Sequence, residues 1–115
     1  MFRYTTVVDS MSSDQRKYTR ITKPLEATWR SASGGSHCRI ADISWGGCFI
    51  QVTAEPAIGE RAEIVTRIAD KEITLTGSVV YVERPIGFSM GFDPLTHEQI
   101  DVLKEMLGQP PAFAG

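Results

Sequence analysis

Two runs constrain this chain more than any others. RAEIVTRI, residues 61 to 68, and EITLTGSVVYV, residues 72 to 82, both alternate apolar and polar side chains. A period of two places every second residue on one face, as in a half-buried strand. Only Ala69, Asp70 and Lys71 join them, so they are predicted to pair as adjacent antiparallel strands of a hairpin. Gly77 interrupts the second run and is read as a bulge or a bend where the sheet curls. The same period recurs in LEATWR after Pro24, with Leu25, Ala27 and Trp29 on the apolar face, until SASGGS breaks it. HCRIADI and CFIQV flank SWGG as two further strands, Cys38 and Ile40 on one face of the first and Arg39 and Ala41 on the other. TAEPAIGE reads as a loop, ERPIG as a turn and FSMGF as a last short strand, making six.

The period then changes. Thr96 with Gln99 three residues on forms a capping-box pattern, and Ile100, Leu103 and Leu107 recur at helical spacing, with Val102 and Met106 widening the apolar stripe. Gly108, Pro110 and Pro111 stop the helix. Six antiparallel strands in one small domain leave exposed edges unless the sheet closes on itself. The expected fold is therefore mainly β: a six-stranded antiparallel β-barrel with a C-terminal α-helix lying on the sheet or covering a barrel end. An open two-layer α+β sandwich is the alternative.

At 115 residues the chain suits one domain with a single core. We divide it into an arm at residues 1–13, flexible or forming an extra strand, a domain at 14–108 and a flexible tail at 109–115. Met11 offers a second start. Cys38 and Cys48 are too few for a disulfide framework and are expected as reduced core thiols. No stretch approaches the roughly 18 apolar residues of a membrane span or forms a secretory leader, so the expected location is the cytoplasm. The net charge of −2 argues against general nucleic-acid binding, which needs many cationic contacts to phosphates. That total hides an asymmetry: residues 1 to 30 sum to +3 and the remainder to −5. A local cationic segment suits a small anion better than a long polymer.

Within that segment, Arg16 and Arg20 stand four apart in DQRKYTR. The guanidinium fork gives paired hydrogen bonds to phosphate or guanine, and its face stacks on a base. About twenty residues later comes DISWGG, residues 42 to 47. Asp42 and Ser44, two apart, share a face of an extended backbone. A carboxylate accepts the N1 and N2 hydrogens on guanine's Watson-Crick edge, and a hydroxyl adapts as donor or acceptor. Gly46 and Gly47 permit positive φ and a close backbone approach.

RKYTR fits the RxxxR element and DISWGG the [DN]xSxxG element of the PilZ domain family, which this chain resembles over roughly residues 14 to 107. Those proteins are cytoplasmic bacterial receptors for cyclic di-GMP. The resemblance implies a six-stranded barrel whose RxxxR loop folds over the ligand. In it Arg16 and Arg20 would grip phosphates and meet guanine, Asp42 and Ser44 would read a guanine edge, and Gly47 would give the ligand room. Gln15, Lys17, Trp45 and Gly46 are further candidate ligand contacts. Gln15 stands where an extra arginine tends to accompany binding of a stacked ligand pair, so one or two cyclic di-GMP per protomer both remain open.

The implied activity is that of a receptor or adaptor. Ligand would order a self-repelling arginine loop and change the surface shown to a downstream protein in motility, polysaccharide or transcription machinery. No catalytic step, cofactor or metal is expected, and the chain is expected as a monomer or homodimer. The alternative is a PilZ-like barrel acting through protein contacts without nucleotide. An enzyme or RNA binder fits poorly, because no nucleophile with a neighbouring base and no basic sheet with interleaved aromatics is present. His37 and Cys38, being adjacent, should face opposite ways on a strand. Arg39, Arg84, Met90 and Gly91 are read as ordinary surface and packing residues, and Trp29 as core. Two roles stand for Trp45, stacking on a base or packing against the helix or barrel rim. Val102 and Met106 are weighed as a partner-facing extension of the helix stripe.

Overall fold

The alternation along the chain becomes an alternation of burial in the computed structural model, which describes residues 24–111. Strands β1 (Leu25–Ser31), β2 (Gly34–Ile43), β3 (Gly47–Gln51), β4 (Arg61–Ile68), β5 (Lys71–Glu83) and β6 (Gly87–Phe92) precede one helix, α1 (His97–Leu107). All neighbours are antiparallel, and the sheet closes in the order β1-β2-β3-β6-β5-β4. Closure through β1 and β4, with Trp29 opposite Ile64, leaves no unpaired edge among the described strands. The arm at 1–13 and the far tail lie outside the described residues.

The interior is filled rather than hollow. Ile40, Ile43, Ile50, Ile64, Leu75 and Phe88 are fully buried, and Trp29 packs edge-on against Phe88 with ring centroids 5.3 Å apart. The Trp29 indole Nε1 donates to Ser36 Oγ at 3.1 Å, so its one polar atom is satisfied where the barrel wall ends. Cys38 and Cys48 are both buried free thiols.

Helix α1 begins as the pattern predicts. The Thr96 side chain accepts from the Gln99 amide and the Gln99 side chain accepts from the Thr96 amide. Gly108, at φ 80°, ends it. Leu103, Leu107 and also Val102 are buried, while Ile100 and Met106 pack against the core at its margin. Val102 therefore belongs to the core and is not available to a partner.

Three local expectations change. SASGGS does not interrupt the sheet for its whole length, because β2 already starts at Gly34. The β4–β5 turn is tighter than expected: Lys71 is the first residue of β5, and Ala69 and Asp70 alone reverse the chain, both with positive φ, 52° and 67°. Gly77 is not a bulge. The register of β5 against β6 shifts at Val80 instead, between Val79 and Tyr81, whereas Gly77 sits where a β-carbon would come within 1.9 Å of the Gly91 carbonyl oxygen. The missing side chain there allows two strands to approach.

Candidate functional site

DISWGG spans the end of β2, a three-residue turn at Ser44, Trp45 and Gly46, and the start of β3. Its decisive feature lies one residue earlier. Strict alternation from Cys38 and Ile40, both buried, would send Asp42 into the core. Instead β2 pairs Ile40 with Ile50 but Asp42 with Phe49, leaving Ala41 as an extra residue. A bulge of this kind flips the parity of everything after it. Ile43 and Trp45 consequently point inward, fully buried, and Asp42 and Ser44 share the outer, half-buried side. The shared face expected of these two residues is present, and it depends on a bulge with no glycine to announce it.

The turn is held by its own polar groups. The Ser44 amide donates to the Gly47 carbonyl at 2.9 Å, the Gly46 amide to Ser44 Oγ at 3.3 Å, and Ser44 Oγ to the Gly47 carbonyl at 3.4 Å. Phe92 donates to the Gly46 carbonyl at 2.9 Å, tying the turn to the end of β6. The Ser44 hydroxyl thus shapes the motif.

The two glycines differ. Neither has positive φ, so the expected left-handed conformation is absent. A β-carbon on Gly47 would sit 2.3 Å from the Met90 carbonyl oxygen and 3.2 Å from the Gly91 α-carbon. Glycine is required there for strand packing with β6, whether or not a ligand also uses the space. At Gly46 an added β-carbon meets nothing within 4 Å, and open space lies above the turn.

Trp45 takes the packing role. It is 1% exposed, so in this conformation its ring presents no face to solvent. Its Nε1 has no hydrogen-bond partner, a desolvated donor placed in the middle of the motif. Burial raises the Cys48 thiol far above its ordinary value, with the neighbouring Asp42 charge and Cys38 adding to the rise; Cys38 is pushed up to about 11 by burial and then by Glu26. Both are inert thiols rather than nucleophiles.

Asp42 heads a row on the outer wall. Across β3, β6 and β5 it is followed by Phe49, Ser89 and Tyr81, each the register partner of the last. Tyr81 and its neighbour Val80 are 52% and 56% exposed.

The arginines around the barrel are already engaged. Arg39 pairs with Glu26 and Arg84 with Glu55, each at 3.2 Å, and Arg30 pairs with Glu63 at 2.7 Å. Arg61 forms a two-pronged pair with Asp93, and Arg67 donates to the Asp70 carbonyl. Every arginine among the described residues therefore has a partner. His37 faces out to Glu26 while Cys38 turns inward, and among the described residues no group of His, Cys, Asp or Glu is placed to hold a metal ion. Arg16, Arg20, Gln15 and Lys17 lie outside the described residues. The sequence pattern does not mark Phe49 or Ser89; only the shifted register places Phe49 across from Asp42, with Ser89 one strand further on.

The site is thus a polar turn facing outward from the wall of a small closed barrel. A model of the PilZ domain family matches residues 14–109, and the chain belongs to that family. Among solved structures it is similar to the PilZ domain of CeSA from a cellulose-synthesizing bacterium, at 17% identity and a TM-score of 0.61, covering 74% of this chain and 91% of that one. It is also similar to the Bacillus subtilis inhibitor of motility, MotI/DgrA, at 14% identity and a TM-score of 0.58, covering 77% of this chain but only 48% of that one. At such identities the likeness is one of fold. No curated protein matches the chain. Among the described residues no helix is long and apolar enough to cross a membrane.

Proposed function

We propose that the chain is a receptor for cyclic di-GMP that closes its amino-terminal arginine segment over a guanine held at Asp42 and Ser44, and signals by protein contact in the cytoplasm. The observation that carries this reading is where β1 begins. Leu25 is the register partner of Ile40, two residues before Asp42, so the segment bearing the arginines joins the barrel beside the outward-turned carboxylate. Arg20 precedes Leu25 by five residues and Arg16 by nine, which allow α-carbon reaches of at most about 18 Å and about 32 Å. Both suffice to bring guanidiniums over the turn.

Charge supports the same assignment. A cyclic dinucleotide brings two phosphates, and Arg16 and Arg20, with Lys17 between them, concentrate positive charge in the segment that leads into β1. The carboxylate at Asp42 accepts from the guanine edge, and the open space over Gly46 admits the ring. Titration calorimetry tests the proposal: cyclic di-GMP binds at micromolar or tighter, and Arg16→Ala, Arg20→Ala and Asp42→Ala each largely abolish the heat. Wild-type protein giving neither heat nor a rise in melting temperature would leave the barrel as a nucleotide-independent adaptor.

A further inference from the structure

Phe49 is an aromatic side chain on the outer wall of the barrel, in the row that runs from Asp42 to the exposed Tyr81. Cys48 and Ile50 on either side of it are buried, and Phe49 itself is partly exposed. Because of the bulge at Ala41 it stands directly across from Asp42. Directly opposed residues hold their β-carbons roughly 5 Å apart, so the ring and the carboxylate form one surface unit. Without the bulge, Asp42 would face the interior and Phe49 would have no polar neighbour on β2 at that position.

We propose that Phe49 is a further ligand-contacting residue, laying its ring against the face of the guanine whose edge Asp42 reads. This rests on the cyclic di-GMP reading above. A carboxylate reads a purine in the plane of the base, and something must then define that plane. Trp45, the aromatic of the turn, has its ring closed inside the core, which leaves Phe49, among the described residues, as the aromatic across from the carboxylate. Base-on-ring stacking supplies the orientation that a single carboxylate lacks. Ser89, next in the row on β6, offers a hydroxyl to the rim of the same base.

The test compares Phe49→Tyr, Phe49→Leu and Phe49→Ala for cyclic di-GMP affinity, melting temperature without ligand, and the proton shift of the guanine H8 on binding. The tyrosine variant should bind within about three-fold of wild type. The leucine variant, which keeps bulk but has no π-face, should melt within about 2 °C of wild type and bind about ten-fold or more weakly. It should also lose the upfield H8 shift that a ring above the base produces in wild type. The alanine variant should bind at least as weakly as leucine. Leucine or alanine variants binding like wild type, while Asp42→Ala has lost affinity, would overturn the role of Phe49 alone. Wild type that does not bind, or an Asp42→Ala variant that binds normally, would remove the ligand reading and this inference with it.

Discussion

Gly46 and Gly47 look interchangeable in the motif and are not. At Gly47 an added β-carbon must displace the backbone of β6 at Met90 and Gly91, which cannot swing aside as a side chain tip would. Gly47→Ala should therefore lower stability by roughly 1–3 kcal/mol, the range for overpacking, with or without ligand. Gly46→Ala meets open space and ordinary φ, so its urea midpoint should stay at the wild-type value. Equal losses at the two positions would show that the crowding at Gly47 has been misjudged. Trp45 makes the same point about residue-scale reading: alternation through SWGG is too short to say which way an indole points, and the bulge at Ala41 decides it. Burying that ring anchors the turn to the core, and Trp45→Ala should cost about 3–5 kcal/mol, far more than any surface role would.

At the scale of elements, the turn between β4 and β5 carries an unusual load. Ala69 and Asp70 both adopt left-handed backbone, as a two-residue hairpin turn of this hand demands, and Asn-Gly is the pair that suits it. An alanine there is strained by roughly 1–2 kcal/mol. The double change Ala69→Asn with Asp70→Gly should accordingly raise the urea midpoint, by a stability gain of about 1 kcal/mol; a drop would refute the strain. At the helix start the direction reverses, and Thr96→Ala should cost about 1 kcal/mol by unsealing the cap.

These elements differ in how visibly the sequence announces them. The capping box and the two long alternating runs are local patterns with a physical cause inside a few residues, so strands, helix and barrel closure are all legible. The bulges at Ala41 and Val80 have no such cause. They satisfy pairing between strands distant in sequence, and neither position is a glycine; Gly77 serves close strand approach, which favours a missing β-carbon just as a bulge does. Asp42 and Ser44 could be paired on one face from their spacing, but that this face is the outer wall, with Phe49 beside it, follows only from the shifted register.

Across the whole molecule, two carboxylates reinforce the ends of strands that the barrel ladder already pairs. Glu60 accepts from Ser31 Oγ at 2.6 Å, Ser33 Oγ at 2.7 Å, and the Ser33 and Ala57 amides at 2.9 and 3.0 Å, linking the β1–β2 turn to the segment entering β4. Asp93 takes the Arg61 fork and Thr76 Oγ1 at 2.7 Å, fastening the exit of β6 to β4 and β5. Those donors favour the charged form. The Glu60 carboxyl falls from 4.5 to about 2, led by the Ser31 hydroxyl, and Asp93 from 3.8 to about 2, led by Arg61. The unfolded chain then takes up these protons at a higher pH than the folded one. Stability from both groups is complete above their unfolded values and is lost as pH falls from about 4.5 towards about 2. Urea midpoints measured at pH 7, 4 and 2.5 should fall along that series. Glu60→Gln and Asp93→Asn should each start lower at pH 7 and lose less between pH 7 and pH 2.5 than wild type does. A variant that matches the wild-type slope would mean that its carboxylate does not hold the barrel's connections in solution, and a midpoint that rises on acidification would reverse the sign of the whole effect.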